Sequence, residues 1–140
     1  MHSSSGSTTM ASWVVSTACI HHMTGNRSLI SNLKPVNGRV VYMANGSPMQ
    51  VGGCGDVITE TLVLPDVWYV PGLEFNLVSA GQLRELDIGI SFIENACCIK
   101  KYRDKSVVGK AHVSGGIYVV DFVKVPLNET NCLNAFEWYC

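Results

Sequence analysis

What constrains this chain most is its punctuation. Runs of Val, Ile, Leu and Tyr are cut by Gly, Pro, Asn and Asp signals roughly every 8–12 residues, the spacing of consecutive short strands. One stretch departs from that rhythm. In Phe75–Leu86 the residues Leu77, Ala80, Leu83 and Leu86 recur at helical spacing, Asn76 stands where a cap belongs, and Asp87-Ile88-Gly89 ends the pattern. The expected fold class is therefore all-β with one short helix. Strands are expected at Trp13–Val15, Arg39–Ala44, Asp56–Leu64 and Val67–Val70. A meander is expected over Ile90–Ile93, Cys97–Tyr102, Val107–Ala111 and Ile117–Val125.

Between the second and third strands the turn chemistry is dense. Asn45-Gly46 predicts a type I′ hairpin, because both residues tolerate positive φ. Pro48 demotes the return strand to an edge or bulge, and Gly52-Gly53-Cys54-Gly55 is bulge-prone. The Asn45–Gly55 region reads as a mobile flap, with Asn45, Gly46, Gly53 and Gly55 as its candidate residues.

At 140 residues the chain suits one core. The organisation expected is a flexible Ser/Thr/Gly-rich leader over 1–11, a domain over 12–125 and an extension over 126–140. That extension carries Phe136, Trp138 and Tyr139, which could dock on the body or on a partner. Charged residues make up only 15% of the chain against 47% hydrophobic, a balance suited to an oligomer with a covered apolar face. Net charge is −1 and the longest basic run is Lys100-Lys101, so no nucleic-acid partner is expected. No apolar run approaches the roughly 18 residues of a membrane span. The polar start implies no signal peptide, hence no membrane partner and an intracellular, cytoplasmic setting. There the six cysteines would remain thiols, and the Asn128-Glu129-Thr130 sequon would stay idle.

Chemistry concentrates in Trp13–Asn26, where an apolar run enters small residues and then meets His21-His22-Met23 and a Thr24-Gly25-Asn26 turn. A strand that stops in small residues brings backbone close to whatever lies beyond it. Cys19 with His21 and His22 invites a metal or thiol-nucleophile reading. Zinc needs three or four converging ligands, and only the distant Cys97, Cys98 and His112 could complete the set, so no metal and no cofactor are expected. Asp87 follows the helix and reads as a turn residue. Asp56 and Asp66 read as strand-end residues, with Asp66 bonding a local backbone N–H. Cys97 and Cys98 point to opposite faces of one strand and do not pair.

Three ordered anchors resemble one family, the aspartic protease region of Ty1/copia-type retrotransposon polyproteins. The first is Trp13, two apolar residues, Ser16-Thr17-Ala18, then His22-Met23-Thr24-Gly25. The second is Ala44-Asn45-Gly46 followed by Val51, Gly53, Gly55 and Val57. The third and most specific runs from Leu64 through Asp66-Val67-Trp68-Tyr69-Val70-Pro71-Gly72-Leu73 to Asn76-Leu77-Val78-Ser79, Gly81, Gln82 and Leu83. The resemblance implies a retropepsin-like closed β-barrel, a homodimer, and one catalytic loop from each protomer.

At the centre the chain departs from that pattern. The family's Asp-Ser/Thr-Gly falls on Ser16, Thr17 and Ala18. Aspartic proteases need two carboxylates that share one proton and activate a water. Ser16 supplies none, and Ala18 adds a Cβ where the loop should be open. The expectation is a pseudoprotease: no catalytic residue, a scaffold that persists, and a protein or extended-peptide partner held through main-chain hydrogen bonds. The competing expectation is an active aspartic endopeptidase processing a polyprotein, or an inactivated form of one.

Overall fold

A computed structural model describes residues 12–127. The strands in chain order are β1 (Trp13–Ser16), β2 (Met23–Thr24), β3 (Ile30–Pro35), β4 (Val40–Tyr42), β5 (Pro48–Gln50), β6 (Gly53–Ile58), β7 (Leu62–Tyr69) and β8 (Asn76–Ser79). After the helix α1 (Ala80–Glu85) come β9 (Ile88–Ile93), β10 (Ala96–Lys101), β11 (Val107–Ser114) and β12 (Ile117–Lys124). The chain is all-β with one short helix. The four-strand meander falls where the turn signals place it.

Ten strands join in the order β3-β6-β7-β2-β8-β1-β12-β11-β10-β9, and β12 also pairs with β7. The sheet therefore closes on itself. β7, β2, β8, β1 and β12 form a ring, β6 and β3 extend from one side of it, and β11, β10 and β9 from the other. β4 and β5 form a separate hairpin. One buried apolar cluster, Trp13, Val57, Leu62, Leu64, Val67, Val78, Leu83, Ile99 and Val123, joins the ring strands to β6, β10 and the helix. A second cluster lies under the β4–β5 hairpin, where Val41 meets Met23, Val51, Cys54, Trp68 and Val70.

Several local expectations are corrected. The helix does not begin at Phe75. Asn76–Ser79 pairs in parallel with Trp13–Ser16, and only Ala80–Glu85 is helical. Leu77 and Val78 satisfy both periodicities, and the free edge of β1 decides between them. Ser79, not Asn76, caps the helix by accepting from the Gln82 N–H, while Asn76 is buried against Thr24. Asp87 then leaves the helix in the left-handed region at φ 65°.

Asp56–Leu64 is two strands, not one. Thr59 turns the chain by accepting the Leu62 N–H on its hydroxyl at 3.0 Å and donating its own N–H to the Leu62 carbonyl at 2.7 Å. The Asn45-Gly46 turn is not type I′. Asn45 keeps negative φ, Gly46 takes φ 86°, and the Gly46 N–H closes onto the Met43 carbonyl at 2.8 Å. A type I turn followed by a left-handed glycine fits that geometry. The Asn45 carboxamide locks it by accepting from the Ser47 N–H and hydroxyl. The expected strand over Arg39–Ala44 shortens to Val40–Tyr42, and its partner begins at Pro48 itself. Sequence reading had no strand for β2 or β3. The aromatic residues proposed to dock from the C-terminal extension lie outside the described residues.

Candidate functional site

The site is the turn from Ser16 to His22, between the adjacent ends of β1 and β2. β1 stops at Ser16 because the side-chain oxygen of that residue takes the Cys19 N–H at 3.0 Å, which bends the chain out of the strand. Thr17 and Ala18 lie exposed on the bend. The Cys19 thiol donates to the His21 carbonyl at 3.1 Å, and burial pushes its pKa up, away from the thiolate a nucleophile needs.

From there the chain is pinned by polar bonds buried under the turn. His22 donates its N–H to Gln82 Oε1 at 2.7 Å and accepts the Ser79 N–H on Nδ1 at 2.8 Å. Its carbonyl receives the Trp68 N–H at 2.9 Å. Ser79 gives its hydroxyl to the Cys19 carbonyl at 2.7 Å, and Gln82 gives Nε2 to the Asp66 carbonyl at 2.8 Å. The start of α1 therefore clamps the turn onto β7. Burial, with His21 adding repulsion and Asp66 opposing, drives the His22 pKa down to about 3. The ring stays neutral and acts as an acceptor. Its role is structural.

Asp66 is where sequence reasoning missed most. It is neither a strand end nor bonded to a local N–H by its carboxylate. Between Val57↔Leu64 and Gly55↔Val67, β7 has Pro65 and Asp66 against the single Asp56 of β6, a β-bulge. Asp66 takes φ 57° there and donates its N–H to Asp56 Oδ1. The bulge accommodates Pro65 mid-strand and turns the Asp66 carboxylate toward the Ser16–His22 turn. Cys54 donates its thiol to Asp66 Oδ1 at 2.8 Å, and His21 Nε2 lies 3.4 Å from the same oxygen. His21 Nε2 is nonetheless buried without a hydrogen bond. His21 is instead held by stacking on Trp68, centroids 3.7 Å apart and planes 9° apart, while Arg39 sits 5.2 Å from the Trp68 ring. Burial pushes the Asp66 pKa up, but the His21 and Cys54 side chains beside the carboxylate outweigh it and hold it below the usual range. The legible signal was Pro65-Asp66 inside an apolar run.

The flap candidates separate. Asn45 and Gly46 are at the exposed tip of the β4–β5 hairpin, whereas Gly53 and Gly55 are buried in β6. A Cβ on Gly55 would meet the Ser31 carbonyl oxygen at 2.5 Å, so β3 crosses β6 in contact with bare backbone there. Asp87 is a turn residue, as expected. Cys97 is buried, Cys98 half-buried, and the two face opposite sides. Among the described residues no group of three or more His, Cys, Asp or Glu converges on a metal position, and no helix is long and apolar enough to cross a membrane.

The strands and turn just described coincide with a known family. The model of the Pol polyprotein β-barrel domain matches residues 13–88, from the first strand to the first residue of β9. The chain belongs to that family. Over 72 residues it is 40% identical to the retrovirus-related Pol polyprotein from transposon TNT 1-94 of Nicotiana tabacum, covering 48% of this chain and 5% of that protein. Over 72 residues it is 33% identical to a putative transposon Ty5-1 protein of Saccharomyces cerevisiae, covering 51% of this chain and 49% of the relative. The chain thus spans at most about half the length of these curated relatives. No solved structure matches it. Past the matched segment the sheet continues through β9–β12, and β12 closes the ring on β7.

Proposed function

We propose that this Pol β-barrel domain is a degenerate copia-type aspartic-protease fold that binds an extended protein segment and does not cleave it. The observation that carries the reading is the state of Ser16. By the resemblance it stands where a copia-type protease would carry its catalytic aspartate, and its oxygen is committed to the Cys19 N–H. The nearby carboxylate, Asp66, is bonded to Cys54 and held ionised. The scaffold under the turn is meanwhile intact, with the parallel β1–β8 pair and the His22–Ser79–Gln82 bonds all in place. Beside the turn, half-buried Ile90, Tyr118 and Val120 flank the small Val15–Cys97–Ala111 cluster, an apolar wall of the kind a peptide's side chains use. A homodimer is part of the proposal, with Thr17, Ala18 and the 78% exposed Ile20 at the seam. A reducing intracellular compartment is part of the same proposal, with Cys19, Cys97 and Cys98 as thiols.

The test is a fluorogenic-peptide cleavage assay on the natural chain and on the Ser16→Asp, Ala18→Gly double variant, with light scattering for mass. The expected result is no turnover by the natural chain, binding of a statine-containing peptide, and a dimer mass. Turnover by the natural chain that this peptide inhibits would overturn the reading, and a monomeric mass at micromolar concentration would remove the dimer.

A further inference from the structure

Closure of the ring leaves the main sheet with two outer strands, β3 and β9. They are built differently. β3 is blocked as a template for pairing: its register with β6 slips between Ser31 and Lys34, Asn32 turns to φ 55°, and Lys34 and Pro35 follow. A bulge, a lysine and a proline are the devices that keep edge strands from recruiting others. β9 has none of them. Ile88–Ile93 contains no charge and no proline, and its register with β10 runs unbroken from Ile88↔Lys101 to Ile93↔Ala96. Phe92 packs edge-on to Tyr118 at 4.9 Å yet stays 47% exposed, and Ile93 is 64% exposed. Among the described residues no strand pairs with the far side of β9.

The charges at its ends select what fits there. Asp87 and Glu94 flank the strand, both exposed and both at positive φ, where the chain enters and leaves it. A second copy pairing antiparallel about Ile90 and Ser91 would set Asp87 against Glu94 at both ends, like charges directly opposed. We infer that β9 is an acceptor edge for a strand from a different protein: an extended segment, apolar at alternate positions and carrying Lys or Arg at each end. Its main chain completes the hydrogen bonds β9 leaves open, and its basic ends answer Asp87 and Glu94.

The probe is a short synthetic peptide of alternating Val and Thr with two lysines at each end, beside the same peptide ended in glutamates. Binding to the full-length, isotope-labelled chain is followed by amide chemical shifts. The lysine-ended peptide is expected to shift the Ile88–Ile93 amides, and to bind about three- to tenfold more weakly once physiological salt screens the end charges. The Asp87→Asn, Glu94→Gln variant, whose asparagine tolerates positive φ, should show a similar loss with the rest of the spectrum unchanged. Equal binding of the glutamate-ended peptide would overturn the inference, as would shifts that map elsewhere. So would protection of every β9 amide from hydrogen exchange in the free chain, since the edge would then already be taken.

Discussion

His22 gives this domain a pH dependence whose sign and size follow from its bonds. In the folded chain the ring is neutral and its pKa is about 3; unfolded, it returns to the ordinary 6.5. The group is a base with a depressed folded pKa, so below 6.5 the unfolded chain binds a proton that the folded chain refuses. Stability therefore falls as pH drops through the window from 6.5 to 3. Integrating the proton difference from pH 7 to pH 5 gives a loss of about 2 kcal/mol from this one residue. That figure barely depends on the depth of the folded pKa, because the folded ring is already deprotonated at pH 5 whether its pKa is near 3 or near 4. Asp66 does not contaminate the window. Its lowered pKa contributes stability that is lost only below the ordinary carboxylate range.

The assay is urea unfolding at both pH values, for the natural chain and for His22→Asn. Asn Oδ1 occupies nearly the place of His Nδ1 and can still accept the Ser79 N–H, but it does not titrate. The variant should be less stable at pH 7 by about 1–3 kcal/mol, because part of a buried ring is gone. It should then lose about 2 kcal/mol less than the natural chain on going to pH 5, a difference of roughly 1–2 M in midpoint shift. Direct titration of the His22 ring by NMR gives a second reading, with no protonation expected above pH 5. An equal pH slope in the two proteins, or a His22 titration midpoint near 6.5, would refute the claim that this ring is a buried neutral acceptor.

Two glycines should respond with opposite signs. Gly55→Ala drives a Cβ into the Ser31 carbonyl and the Ile30 side chain, and is expected to cost about 1–3 kcal/mol by thermal melting. Gly81→Ala, in α1 with no neighbour nearer than 3.7 Å, should stabilise by about 0.5–1 kcal/mol. Gln82→Met keeps the volume but strands the His22 N–H and the Asp66 carbonyl. It should cost about 2–4 kcal/mol and speed hydrogen exchange at the His22 amide, and unchanged exchange there would mean the clamp is not what holds the turn.

How much of this could be read from residue order alone depended on whether the information was local. The meander β9–β12 was legible because each strand is separated from the next by its own turn residues, and alternation needs no partner to be seen. The start of α1 was not, because Leu77 and Val78 fit a helix and a strand equally. What converts them to β8 is pairing with Trp13–Ser16, more than sixty residues earlier. The same distance hid the site. The resemblance sets Ser16-Thr17-Ala18 against a protease's catalytic triplet, but nothing in Trp13–Asn26 points to Asp66, which arrives only because a bulge opposite Asp56 rotates it out of the strand pattern. Pro65 was the trace of that bulge in the sequence. Its consequence is that the Ser16–His22 turn, which carries no carboxylate of its own, faces one already bonded to Cys54 and lying beside His21. On the proposed reading, that arrangement separates two ways a protease-derived fold can be silent. If only Ser16 were at fault, Ser16→Asp with Ala18→Gly would restore the missing carboxylate and activity together. If the bonds beneath the turn have also drifted, the double variant will carry the aspartate and remain inert, although it should still bind the statine peptide as the natural chain is expected to.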